Sequence, residues 1–542
     1  MLGLLAAAAL AAQVHDHDHD HTPRLGQLNF ESSCTPAAQA ALLQGLGWLH
    51  SFEYARAEQQ FASAASADPA CGIADWGVAM SNYHPLWAAP TPAELQKGIA
   101  AVAKARAAGA RTERERDYIA AIETFYRGAP AVDHKSRVLA YSGAMAGLHQ
   151  KYPSDQQAAL FYALSLIAVG TIVRDPTFER EKKAGAIINQ VLAVEPDNPG
   201  VWHYMIHSFD YPPLAEMALP AARRYAAVAP DSAHAQHMPS HIFTRLGLWD
   251  EAIKSNRAAE ASAIAYERSS GMAGVWDQQL HAMDYLAYAY LQSARDKDLA
   301  ALLDELGRIT RADPPSPTTA YAVTAIPARA VLERERWSDA AKLELPAGLR
   351  NLPALANHKW AIGSIHFARA VGAARSGDAN LARSEIASLS ALEQSLTIPP
   401  GEYDWRKQIA IQRQIADAWL AKAEHRDADA ERIMRVAADL DDATEKHPVT
   451  PGSILPAREQ LGALLLELKR PSDALKEYQE SLMRAPRRLQ GLYGAATAAV
   501  RAGQPAVARR YYAVLLEITK SGDPALKQIR EAKAFARQQA SR

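Results

Sequence analysis

AQAALLQGLGWLHSFEYARAEQQFASAASADP, residues 38–69, reads as two short helices joined by a tight turn. Ala38, Gly45 and Trp48 belong to the first helix, Ala57, Phe61 and Ala64 to the second, and Pro69 stops it. Small residues let two helices approach closely, and the aromatic rings fill the gap between one hairpin and the next. Such a hairpin cannot bury its apolar face alone and has to stack on copies of itself. The copies follow. Ala184, Ile188, Val191 and Pro196 make one frame, and Trp202, Ala218 and Pro230 the next, with Pro230 34 residues after Pro196. Phe243, Gly247, Ala252 and Ala259 mark a third consecutive unit. Towards the C-terminus, Leu461, Gly462, Ala474, Tyr478 and Pro486 make one unit, and Gly503, Ala508 and Tyr512 mark another. Nothing alternates with period two over enough residues to demand a sheet.

The phrases LLQGLGWLHSFEYARAEQQF, DPACGIADWGVAMSNYHPLW, HYMIHSFDYPPLA and HAQHMPSHIFTRLGLWDEAI carry a resemblance to the tetratricopeptide repeat (TPR) superfamily. The chain looks closest to exported bacterial TPR-repeat proteins of undefined activity. The resemblance implies an all-α, right-handed superhelical solenoid of antiparallel helix pairs, here in two lobes. It leaves function open, because the same scaffold binds proteins, peptides and small ligands.

Composition narrows the class. Hydrophobic residues make up 49% of the chain, enough for a packed core, and the formal net charge of −1 gives no overall field to recruit nucleic acid or an anionic membrane. No internal stretch approaches the length of a membrane-spanning helix. MLGLLAAAALAA, residues 1–12, reads as the apolar core and small-residue end of a secretory signal peptide, although the usual basic start is missing. The alternative is a buried N-terminal helix. Export would place the protein in the periplasm or outside the cell. Residues 13–33 are expected to be a disordered His/Asp-rich tail, with His15, His17, His19 and His21 either capturing a divalent metal weakly or serving as a soluble spacer. Residues 34–310 are assigned to an N-terminal TPR-like solenoid and 311–542 to C-terminal helical repeats, with RADPPSP from Arg311 as the junction. The two cysteines, Cys34 and Cys71, flank one hairpin, whose ends are adjacent in space. One disulfide is therefore allowed, against two free buried thiols, and the lack of a CxxC partner argues against a zinc–cysteine site.

The chemistry lies in histidine spacing. His203 and His207 form an i,i+4 pair, and His237 and His241 repeat it 34 residues later. Each pair shares one helix face, with Cβ atoms about 6 Å apart, so all four rings are expected on one patch. By the resemblance, the first helix of each repeat lines the concave groove at its second, fifth, ninth, twelfth and thirteenth places. Those places are taken by His203, His207, Asp210 and Tyr211 in one repeat and by His234, His237, His241 and Arg245 in the next. His50 and His84 hold the thirteenth place in two earlier repeats. Glu53 lies one turn beyond His50, and Trp76, Tyr83 and Trp87 are candidates for an aromatic wall. His281 and Asp284 share a face on a later segment, as a further ligand and its orienting carboxylate. Pro239, between His237 and His241, is expected to kink the helix and aim the rings.

Clustered neutral imidazoles suit a transition metal, with zinc or copper leading among zinc, copper, nickel and iron. The candidate ligands are His203, His207, His234, His237, His241 and His281. The candidate groove-lining residues are His50, Glu53, Trp76, His84, Trp87, Asp210, Tyr211 and Arg245. The leading reading is a binding protein for a transition metal, or for a metal-bearing ligand or partner. One alternative is a metal-dependent enzyme using the same cluster. Another is a peptide or protein scaffold whose histidines only form hydrogen bonds, and duplicated packing histidines are the blandest possibility. No HExxH, GxSxG, phosphate-cradling loop or dinucleotide fingerprint is present, so the sequence leans away from catalysis.

Overall fold

A computed structural model describes residues 22–540. The signal-like segment and the four tail histidines lie outside the described residues. Helices run from Pro36 to Ala540 as consecutive antiparallel pairs, and each pair packs on the next. The first hairpin, Pro36–His50 with Tyr54–Ala67, shows why the repeat needs small residues. A Cβ on Gly45 would lie 2.8 Å from the Phe61 ring, and Gly77 of the next hairpin presses on the other side of that ring. Gly462 and Gly494 enclose Tyr478 in the same way, with a Cβ on Gly462 meeting the ring at 2.8 Å. The two ends of the chain thus use one packing device. The fold is an all-α, TPR-like solenoid.

Among the described residues the only strands are Val275–Trp276 and Ala312–Asp313, which pair in parallel at the expected junction. No helix among those residues is long and apolar enough to cross a membrane. Cys34 and Cys71 are joined in a disulfide, with Cα atoms 5.1 Å apart.

The solenoid curls so that its C-terminal helices pack back on its middle, where the Trp249 indole donates to the Arg487 carbonyl at 2.9 Å and the Asp523 amide to the Ala294 carbonyl at 2.7 Å. Helices Gln156–Ile172, Asp277–Gln292 and Pro317–Leu332 are buried around nearly their whole circumference, which marks them as the centre of the curl. Charge crosses between the lobes at Lys446–Asp210, 3.3 Å, and Arg245–Glu445, 2.5 Å, while a dry charge network inside the C-terminal lobe reaches the N-terminal lobe through Tyr288. Arg488 is fully buried and donates to Glu459 at 2.6 Å, to Glu333 at 2.7 Å and to the Tyr288 hydroxyl at 2.7 Å. Breaking such a network strands a buried charge and costs about 3–5 kcal/mol.

The expectation for the N-terminal tail is corrected. Residues 22–33 are not a disordered tail. Arg24 pairs with Asp231 at 2.8 Å, the Gln27 amide donates to the Asp197 carbonyl at 2.9 Å, and Leu25 and Phe30 are buried. Those two apolar side chains anchor a segment whose composition otherwise reads as coil. The groove is covered. Residues 443–456, between the helices Asp427–Asp442 and Ala457–Glu467, form a strap lying across the N-terminal lobe. The Tyr285 hydroxyl donates to the Thr450 carbonyl at 3.1 Å, and Arg329 donates to the Gly452 carbonyl at 3.2 Å.

Candidate metal centre

Three helical segments carry the histidines. Pro199–Phe209 is capped by Asn198, whose side chain accepts from the Gly200 amide, and brings His203 and His207 inward. Ser232 caps Ala233–His237, and Met238, itself in right-handed helical backbone, leads directly into Pro239–Leu246. Pro239 has no amide hydrogen to donate, which interrupts the hydrogen-bond ladder while Met238 keeps helical backbone. Asp277–Gln292 supplies His281.

All six candidate ligands are buried, but they do not share one point. They divide into two triads, His203 with His207 and His234, and His237 with His241 and His281. Within each triad one donor atom per residue lies within 4.8 Å of the others. His207 Nε2 and His203 Nε2 are 3.0 Å apart, and His234 Nε2 and His203 Nε2 3.2 Å. His237 Nε2 lies 3.1 Å from His241 Nε2, and the His237 and His281 ring centroids are 4.1 Å apart. The expectation of four rings about a single point is thereby corrected. Each i,i+4 pair is completed by a histidine from a following helical segment, His234 for the first pair and His281 for the second.

The opposite ring nitrogens fix the tautomers. His203 Nδ1–H donates to the His50 carbonyl at 2.5 Å. His237 Nδ1–H donates to Asn256 Oδ1 at 2.7 Å, and Asn256 Nδ2 donates to the Ala252 carbonyl at 2.8 Å, which sets the amide orientation. His241 Nδ1–H donates to Asp210 at 2.9 Å. A neutral imidazole carries one hydrogen, so Nε2 of His203, His237 and His241 each presents a lone pair. In His237 and His241 two lone pairs face each other at 3.1 Å. A buried Nδ1 of His281 has no hydrogen-bond partner at all. Burial, and secondarily the neighbouring imidazoles, hold His203, His207, His234, His237 and His281 well below the ordinary histidine range. Burial lowers His241 as well, partly offset by Asp210. Protons are therefore poor occupants of this gap.

Aromatic rings close the chamber. Phe52 meets His203 at 4.3 Å between centroids and stacks on His207 at 5.5 Å. Trp87 meets His234 edge-on at 4.9 Å, Tyr225 stacks on His203 at 5.1 Å, and Tyr285 lies 4.8 Å from His237. Beside the chamber a cavity of about 360 Å³ is lined by His84, Trp87, His207, Asp210, Tyr211 and Arg245 together with Trp360, Trp405, Lys446 and His447 from the other lobe. Asp210 is the hinge of its wall. Burial works to raise its carboxyl, but Lys446 at 3.3 Å, Arg245 at 2.8 Å and His241 outweigh that and hold it well below the usual range.

Several residues expected at the groove do other work. Trp76 is a core residue between Phe30, Tyr118 and Phe161, because the N-terminal segment covers its side of the repeat. Tyr83 packs against Phe125 and Tyr141. His50 is buried and has no free nitrogen: the Tyr204 hydroxyl donates to its Nδ1 at 2.8 Å, and its Nε2–H donates to Gln157 at 2.7 Å. It positions His203 through its carbonyl and does not face a ligand. Glu53 is buried and pairs with Arg56 at 2.9 Å, outside both triads. Asp284 does not orient His281, being paired with the buried Arg329 at 2.6 Å. His84, Trp87, Tyr211 and Arg245 do line the cavity. Sequence reasoning missed Phe52, Tyr225, Asn256, Tyr285 and the strap residues. Only Asn256, a polar residue on the inward face of a helix, offered a local signal.

No protein-family model matches the sequence, and no curated protein matches it significantly. Among solved structures, the P58(IPK) TPR domain is 16% identical, covering 72% of this chain and 100% of that one at a TM-score of 0.21. The Cut9 assembly with Hcn1 from APC/C is 12% identical, covering 91% and 76% at 0.36. Yeast Tom70 is 9% identical, covering 93% and 96% at 0.27. The assignment to TPR-like repeats stands on the hairpins themselves and their spacing.

Proposed function

We propose that this chain is an exported, TPR-like protein that holds a transition metal, copper or zinc, in a closed all-histidine chamber inside its solenoid. The observation that carries the reading is the pair His237 and His241. Their Nε2 lone pairs face each other at 3.1 Å while both Nδ1–H groups are committed to Asn256 and Asp210. Two lone pairs repel at that distance unless a cation lies between them. Hydrogen bonds from the remote ring nitrogen to a carbonyl, an amide oxygen or a carboxylate are also the usual way ligand imidazoles are oriented. The disulfide between Cys34 and Cys71 suits an oxidising compartment.

A catalytic role has one specific observation in its favour. The cavity of about 360 Å³ reaches His207 and Asp210, so a small molecule could approach the nearer triad. A purely protein-binding role would rest on the repeat scaffold alone.

The test uses the full chain with His15, His17, His19 and His21 replaced by serine, which removes adventitious tail binding. After loading with zinc or copper and exhaustive dialysis, this protein is expected to retain stoichiometric metal. The further double substitution His207→Ala and His241→Ala should abolish retention with helicity, followed by circular dichroism, unchanged. No retained metal in the parent, or undiminished metal in the double variant, would refute the assignment.

A further inference from the structure

Resting on that metal-binding reading, we infer that the chamber is a two-copper centre, one copper(I) per triad, whose paired ions reduce one molecule of dioxygen. The donors that lie within 4.8 Å of one another divide three and three, and every one is an imidazole nitrogen. One ion does not use six such donors. Three imidazoles with an open fourth position suit either zinc or copper, so the donor count gives one ion per triad and charge has to choose between the metals. The triads also abut: the rings of His207 and His241 are 6.3 Å apart and those of His234 and His237 6.2 Å.

Charge decides the oxidation state. Neither triad contains a carboxylate, and the nearby acids are already committed, Asp210 to Lys446 and Arg245, Asp284 to Arg329 and Glu53 to Arg56. Repulsion scales with the product of charges, so two divalent ions repel about four times as strongly as two monovalent ones. A dry chamber with no free counter-charge therefore favours copper(I). Dioxygen changes that balance. Each copper(I) gives up one electron, dioxygen accepts both and becomes a peroxide dianion, and two copper(II) ions remain. The total charge of the chamber stays at +2, because the dianion offsets the two charges gained by the metals. No proton or further reductant enters this step. The cavity that reaches His207 gives a small neutral molecule its way in, and the aromatic rings of Phe52, Trp87 and Tyr285 keep bulk water away.

The experiment titrates the full chain, its four tail histidines replaced by serine, with copper(I) under argon against a chromogenic copper(I) chelator, and then admits dioxygen in an electrode cell. Two copper ions per chain are expected, with rapid uptake of one dioxygen per two coppers. His281→Ala and His203→Ala are each expected to bind one copper and to lose that uptake. The parent protein alone decides the count, so a variant that fails to fold does not leave the inference standing by default. One copper in the parent, lost entirely in either variant, would overturn the two-ion centre while leaving metal binding intact. No copper at all would overturn the two-copper centre, and the metal-binding reading falls with it only if zinc is not retained either. Two coppers without dioxygen uptake would overturn the proposed reduction.

Discussion

His447 Nε2–H donates to the backbone carbonyl of Trp87 at 2.9 Å, a bond between residues 360 positions apart in the chain. Trp87 packs on His234 of the first triad, and the neighbour of His447, Lys446, pairs with Asp210 beneath the second. The strap is therefore part of the chamber wall, and the far end of the solenoid helps to hold the histidines.

Asp210→Asn should weaken metal binding about 10–100-fold, the usual effect of losing a hydrogen-bond partner behind a metal-bound histidine. The substitution leaves the ring of His241 in place but removes the charge that fixes its tautomer. Competition titration against a chelator reads the change, with circular dichroism as the control. Unchanged affinity would show that Asp210 serves the cavity wall alone.

Arg488→Met should destabilise the C-terminal lobe by about 3–5 kcal/mol, because Glu333 and Glu459 would be left buried without their cation. A repeat protein of this length need not unfold as one unit, so amide hydrogen exchange is the suitable measurement. Protection should fall across Leu489–Arg501 and Ala457–Glu467 and much less at the N-terminal hairpins.

Burial raises the carboxyl of Asp277 to about 6, above its ordinary value of 3.8. The sign follows from linkage: the folded state binds this proton more tightly than the unfolded state. The stability it supplies is complete below about pH 4 and is lost as pH rises towards 6. The difference corresponds to roughly 3 kcal/mol as an upper bound. Asp277→Asn should flatten the stability profile between pH 4 and 6 relative to the native protein, as read by thermal unfolding at each pH. Parallel profiles would contradict the assignment.

Replacing Cys34 and Cys71 by serine should cost about 2–4 kcal/mol in the first hairpin, as expected for removing a cross-link. Both positions lie outside the triads, so metal stoichiometry should hold. Loss of metal in the variant would mean that the first hairpin supports the chamber more directly than its contacts show.

Much of this was legible in the sequence. Gly45, Phe61, Gly462 and Tyr478 announced the hairpin because a ring and a missing side chain must meet at a fixed spacing. His203, His207, His237 and His241 were found from i,i+4 spacing and the 34-residue offset, and His281 from its place on the next segment. The division into triads was not legible, since it depends on which following segment completes each pair. Trp76 was misplaced for a related reason: its repeat position is regular, but Phe30 covers that face. The counting also failed at His84, because its helix ends at Ser81 and the residue sits in the turn beyond. The strap was invisible because its contacts span hundreds of residues and follow no period.

The most direct test is to locate metal crystallographically by anomalous scattering at the copper edge, using protein loaded with copper and washed. The account expects density bounded by His203, His207 and His234 and density bounded by His237, His241 and His281, with only nitrogen from the protein in the coordination shell. An empty chamber at full loading, or copper bound only at the tail histidines or on the surface, would contradict it.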